Sequence, residues 1–395
     1  FLLTTKRKRV TIVHEKKRKH FPLQTRLAFQ SMVVIGKRMK KGRSSMGYEQ
    51  ERIYIGDMSQ LFMVKEYRWL GGRSEGTRAV DIRNNAGVEL TLLPDRCMDP
   101  AYLTYKGKNL SFITPAGVVH PSYYDNRGEE FLRSFTAGLL TTCGLTEIGN
   151  GGECDGEILG LHGRAGHLPA EQVACQVKKD IKGNPYAEIS GQMRQARLFT
   201  EHLTLHREVT IGYEQKGFSF TDTVENISYH TRPFMLLYHF NMGYPLVSEE
   251  SRLYLPASET KPRNAHAAEG LGCWSQMQSP TADYEEMCYY HTMKRDEKGR
   301  SAAVIFNHKI GQGLTIHFDA QLLDHFIQWK MMGQGDYVIG LEPGNAYVEG
   351  RAKAKADHDL KYIQPGEKYV YRFDVQILDC EEELKTQLEE NKKMK

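Results

Sequence analysis

At 395 residues and 40% hydrophobic content, the chain is long enough for one large domain or two ordinary ones around a substantial core. No apolar run approaches the roughly 18 residues that a membrane-spanning helix needs. The net charge of +4 conceals a split: residues 1–45 carry 14 Lys/Arg against the single acid Glu15, which leaves −9 on the remainder. An acidic body excludes a nucleic-acid-binding domain as a whole.

The basic leader, 1–45, has no coherent period and reads as a disordered tail or as sequence outside the native protein. Seven cysteines are scattered without a CxxC pair. That pattern argues for reduced thiols, a cytoplasmic protein and no structural zinc.

From Ile53 the chain reads as strands. Val80–Arg83 alternates, Asn84–Gly87 is a turn signal, and Val88–Leu93 is the return strand. A polar loop, Pro94–Pro100, precedes a second hairpin around Lys106-Gly107. Residues 114–167 are glycine-rich and irregular, with a helix expected only over Arg127–Gly138; long irregular segments inside a domain are usually functional. Strands resume at Gln172–Val177, Ala187–Arg194, Leu203–Gly212 and Phe218–Val224, followed by a strand carrying His239. Residues 257–290 read as a second loop-rich region. Further strands are expected at Ala302–Asn307, Gly313–Phe318, Phe326–Met331, Val338–Glu342 and Tyr369–Ile377. A charged, exposed helical tail begins at Cys380. With no repeat and no alternation of strand and helix, the body at 46–379 is expected to be a single all-β domain, a large antiparallel sandwich, with 380–395 as its tail.

Glu342 follows the apolar run Val338, Ile339 and Leu341 and precedes Pro343-Gly344, which is expected to end strand pairing. A carboxylate at the mouth of an apolar sheet is partly desolvated, which raises its pKa toward the range of a useful base. Three other polar clusters sit at strand ends or in the long loops: Asp95-Arg96-Cys97-Met98-Asp99, Leu161-His162-Gly163-Arg164 and Tyr238-His239-Phe240-Asn241.

Taken in order, these four clusters resemble the aldose 1-epimerase (galactose mutarotase-like) family. They are most similar to its uncharacterised, DUF4432-like branch, and the resemblance covers about residues 50–378. It implies a β-supersandwich with a sugar cleft on a concave face. It implies Glu342 as the base that takes the anomeric proton and His239 as the acid that protonates the ring oxygen. His162 and Arg96 match substrate-holding residues, Asn241 joins them, and Asp99 and Asp319 are candidates for a sugar-binding carboxylate. No cofactor or metal is expected, and the partner is a small carbohydrate, with neither nucleic acid nor membrane. Arg164, Lys261, Arg263 and Lys330 add positive charge to the expected cleft, which suggests an acidic, oxidised or phosphorylated sugar; Trp329 is a candidate stacking platform. Two other readings stay open. One is a metal-assisted sugar isomerase or lyase using His120, Glu153, His162, His239 and Glu342. The other is a non-catalytic sugar-binding protein.

Overall fold

Pro185–Ala196 shows how this sequence makes sheets. Its odd-numbered positions, among them Ala187, Ile189 and Met193, are buried while the even positions stay part-buried or exposed. A period of two residues puts one face of a strand on a core and the other toward solvent. The computed structural model describes residues 47–395; the basic leader lies outside them.

Most of the strands belong to three antiparallel sheets. The eight-stranded sheet runs, in spatial order, Glu171–Lys179, Pro185–Ala196, His202–Gly212, Gly217–Asn226, Lys368–Leu378, Gln312–Phe318, Ser301–Asn307 and Ser251–Tyr254. Facing it is a sheet in the order Ala257–Pro262, Met287–Met293, His325–Met332, Tyr337–Gly344, Arg232–Met242 and Lys361–Ile363, with Leu140–Leu145 also paired to Arg232–Met242. A smaller five-stranded sheet, from Met63 to Asn109, closes one side. Aromatic rings join the two large sheets: Phe373 stacks on Phe220 at 4.6 Å between centroids and meets Tyr238 from the opposite sheet at 4.5 Å.

A buried ionic group also ties the sheets together. The Arg207 guanidinium, fully buried, donates to Asp222 at 2.8 Å, to Asp99 at 2.5 Å and to the Thr142 hydroxyl at 2.9 Å. Tyr238 donates to the same Asp222 at 2.9 Å, and the backbone N–H of Thr142 donates to Asp99 at 2.8 Å. One cation therefore holds strands from all three sheets. Asp99 is committed here and is not free to hold a sugar. Asp319 accepts the backbone N–H of Arg372 and lies beside Arg300, just past the end of the Gln312–Phe318 strand.

Several sequence expectations are corrected. Ala257–Pro262 is a strand, not a loop; its polar run Ser258-Glu259-Thr260-Lys261 lacks alternation because it is an edge strand with much of its length in solvent. The expected helix at Arg127–Gly138 is a single 3-10 turn, Glu130–Arg133, followed by short strands. Pro343-Gly344 does not end its strand: Pro343 pairs with Phe326 and Gly344 with His325. A proline removes only its own N–H from the ladder, so pairing by the neighbouring residues continues. The last helix, Glu381–Asn391, is not simply exposed; Leu384 packs on Val304, Phe306 and Leu378.

Candidate active site

The register of the second large sheet sets up the site. Lys261 pairs with Tyr290, Tyr290 with Ile327, and Ile327 with Glu342. The pairing of Phe240 with Leu341 and Asn241 with Gly340 puts His239 opposite Glu342, and His239 pairs with Thr141 on its other side. Residues in one lateral row point to one face of a sheet. Six strands thus present Lys261, Tyr290, Ile327, Glu342, His239 and Thr141 side by side. The next row on the same face holds Cys288, Trp329, Gly340 and Asn241.

At the centre, His239 Nε2 stands 3.3 Å from Glu342 Oε1. His239 is 6% exposed and Glu342 2%. Trp329 meets His239 edge-on at 5.5 Å, and its indole N–H donates to Glu286 at 2.7 Å. Phe135 closes on His239 at 5.5 Å. His162 enters from a loop, 5.6 Å from His239 between ring centroids and 5.5 Å from Phe131. That loop is held in the left-handed region at both His162 (φ 58°) and Gly163 (φ 72°). A Cβ on Gly163 would lie 2.6 Å from the carbonyl oxygens of Gly144 and Glu147, so only glycine fits.

Among the described residues, the Nδ1 atoms of His162 and His239 and Oδ1 of Asn241 are buried without hydrogen-bond partners. These are the groups able to meet a polar ligand. Asn241 spends its amide N–H on the His239 carbonyl at 2.8 Å, which fixes the strand beneath the imidazole.

Burial and the nearby His162 hold His239 down to about 3. Burial and Arg263 hold His162 down to about 4. Burial pushes the Glu342 carboxyl up, Glu286 adds to the rise, and Arg263 opposes it. The two central groups therefore share one proton over a wide pH range, and their titrations belong to the pair.

His291, next to Tyr290 but facing the core, gives a cleaner readout. Burial lowers its pKa from 6.5 to about 4, with Thr260 and Gln328 as its partners. A histidine with a depressed folded pKa contributes stability above its unfolded value, and this is lost as pH falls from about 6.5 toward 4. The loss should reach about 3 kcal/mol. Chemical unfolding of His291→Gln is expected to depend less on pH than wild type across this window; parallel curves would exclude the effect.

The structure separates the other expected site residues. Trp329, Asn241 and His162 lie with Glu342 and His239. Arg263 reaches the rim, tied to Glu349 at 2.9 Å and to Asn150 at 3.3 Å. Lys261 is exposed at the far end of the row, paired with Glu259 at 3.0 Å. Lys330 is on the wrong face: it follows Trp329 in the strand and pairs with the core-facing Ile339. Its ammonium donates to the carbonyls of Cys273 at 3.1 Å and Gln276 at 2.7 Å. Arg96 is buried, with its guanidinium donating to the carbonyls of Gly166, Val119 and Ser134 at 2.7–2.9 Å, so it braces loops rather than facing a ligand. Arg164 lines a different cavity. The five residues of the metal reading do not converge: His120 caps the Pro121–Tyr123 turn and Glu153 is exposed. Among the described residues, the trio of possible ligands that does converge is Asp379, Cys380 and Glu383, and Lys216 pairs with both of those carboxylates.

Gly340 was not legible as a site residue. A Cβ there would lie 2.7 Å from Glu342 Oε1, 2.9 Å from Trp329 Cβ and 3.3 Å from His239 Cε1. Glycine keeps the floor open between the acid, the base and the indole. Gly340→Ala is expected to lower any turnover at least ten-fold while costing about 1–3 kcal/mol of stability, the usual range for overpacking. Parallel rate and unfolding measurements check both; unchanged rates would remove Gly340 from the site.

The arrangement of antiparallel sheets matches the galactose mutarotase-like β-sandwich fold. Residues 74–377 match the model of a domain of unknown function, DUF4432, and the chain belongs to that family. Among solved structures, the chain is similar to a "putative aldose 1-epimerase" from Klebsiella pneumoniae, at 26% identity and a TM-score of 0.80, covering 84% of this chain and 88% of that one. A galactose mutarotase-like protein from Clostridium acetobutylicum matches at 15% identity and TM-score 0.57, over 81% of this chain and 99% of its own. The galactose 1-epimerase of Lactobacillus acidophilus matches at 12% and 0.53, over 81% and 99%. No curated protein matches the chain. No described helix is long and apolar enough to cross a membrane.

Proposed function

We propose that the chain is an aldose 1-epimerase-like enzyme that interconverts sugar anomers by acid–base ring opening. The observation that carries this reading is the buried His239–Glu342 pair at 3.3 Å, opposite each other in register. At rest the one proton of the pair sits on Glu342, and the reactive form is the tautomer in which it has moved across to His239, leaving Glu342 a carboxylate and His239 an imidazolium. Glu342 takes the proton from the hydroxyl on C1 while His239 gives its proton to the ring oxygen, and the C1–O5 bond breaks as the C1 carbonyl forms. The pair then holds its one proton on Glu342, so the count is unchanged. Rotation about the C1–C2 bond and the reverse transfers close the ring on the other face. Acid and base groups placed this way each contribute on the order of 10²–10⁴-fold.

The cations that suggested an acidic substrate do not gather here. Lys330 faces the core, Arg164 lines another cavity, and Arg263 and Lys261 are paired with carboxylates. Glu286 adds negative charge beside Trp329. The site therefore supports a neutral aldose, with Trp329 offering an apolar wall to a sugar face. Saturation-transfer NMR on a panel of neutral and acidic aldoses tests this. Accelerated α/β exchange with neutral sugars is the expected result. Saturable binding without exchange would replace it with a sugar-binding role, and exchange confined to acidic sugars would overturn the substrate class.

A further inference from the structure

A cavity of about 350 Å³ lies beside Pro233, near the start of the strand that carries His239. Pro233 and His239 are six positions apart in one strand, roughly 20 Å at 3.3 Å per residue. Met235 and Leu237 come between them on the same face, packed into an apolar cluster with Cys143, Ile148, Ile327 and Val348. The cavity is thus distinct from the site of His239 and Glu342.

Five arginines line it: Arg164, Arg194, Arg197, Arg232 and Arg351. Some are neutralised, since Glu157 pairs with both Arg197 and Arg351, and Arg194 pairs with Glu171 outside the lining. Glu147 and Glu201 also face the cavity. Yet two buried donors remain unmet among the described residues, and a third arginine makes no ion pair. Nε of Arg232 and Nε of Arg351 are buried without a partner, although Arg351 is only 3% exposed. The Arg164 side chain makes no ion pair, resting 5.9 Å from the Tyr124 ring centroid. A buried donor left unpaired costs about 1–3 kcal/mol, and an arginine fork is matched to carboxylate and phosphate oxygens.

We propose that this cavity is a binding site for a polyvalent oxyanion, a phosphate ester or polycarboxylate of small-molecule size, held by Arg164, Arg232 and Arg351. Its volume is within the range of small-ligand sites. The proposal does not depend on what reaction His239 and Glu342 perform.

The test is calorimetric titration of the full chain with inorganic phosphate and, separately, with citrate, at constant ionic strength. One saturable site for either anion is expected, weakened at least ten-fold in Arg164→Gln and retained in Glu342→Gln. Phosphate binding alone would assign a phosphoryl ligand; citrate binding alone would assign a carboxylate one. Arg164 makes no ion pair and has only its long contact with the Tyr124 ring to lose, so its variant should stay close to the wild-type unfolding midpoint. Arg351→Lys, which keeps the charge and loses the Nε donor, gives a second arm. The proposal is overturned by the absence of saturable heat with both anions. It is equally overturned by binding that Arg164→Gln leaves unchanged.

Discussion

Glu342→Gln is expected to reduce the rate of anomer exchange by on the order of 10²–10⁴-fold, the range for loss of a positioned acid–base group. Glutamine has nearly the same shape, so the variant should fold and bind sugar. A buried carboxyl at 2% exposure carries a desolvation cost that the amide avoids, so the stability of the variant should equal or exceed wild type. Lower turnover with unimpaired stability is the signature of a group kept for chemistry rather than for folding. His239→Asn should show a comparable rate loss, and the double variant should be little worse than either single one because the pair works through one shared proton. Rate losses that multiply in the double variant would contradict that shared step.

Arg207→Met is expected to destabilise the protein by about 3–5 kcal/mol, because it strands Asp99 and Asp222 as buried carboxylates without their cation. Denaturant unfolding measures the loss directly. Arg207→Met combined with Asp222→Asn should recover part of it, since the double change removes one of the stranded charges. A loss below about 1 kcal/mol would mean that the network is compensated elsewhere. The effect should reach activity as well: Thr142 and Tyr238, which touch this group, are paired with each other and immediately follow and precede Thr141 and His239 in their strands.

The all-β character and the placing of Glu342 were legible in the sequence for a physical reason, whereas the pairing of His239 with Glu342 came only from the family resemblance. Strand alternation and turn residues are local signals, and Leu341-Glu342-Pro343 stands out because a carboxylate inside an apolar run is costly. What failed depended on long-range register. Trp329 and Lys330 are neighbours in the sequence, yet the pleat sends one to the site and the other to the core, and only pairing with Gly340 and Ile339 decides which. Arg96 and Arg207 are both arginines near polar residues. That one braces loops while the other binds three sheets follows from contacts 15 to 110 residues away. Gly340 carried no signal, because its contribution is the volume it leaves empty. Ala257–Pro262 was missed because a polar edge strand has no hydrophobic period to detect.

The lateral row has a consequence for how activity returns after unfolding. His162, His239 and Glu342 are spread over 180 residues of sequence, and no hairpin contains two of them. Sheets dominated by such distant pairings fold on the millisecond-to-second scale, more slowly than structures built from local contacts. Each single hairpin can re-form without restoring any part of the chemistry. Under the proposed function, anomer exchange should therefore lag behind the recovery of secondary structure on refolding, a clock for the last strands to find their register.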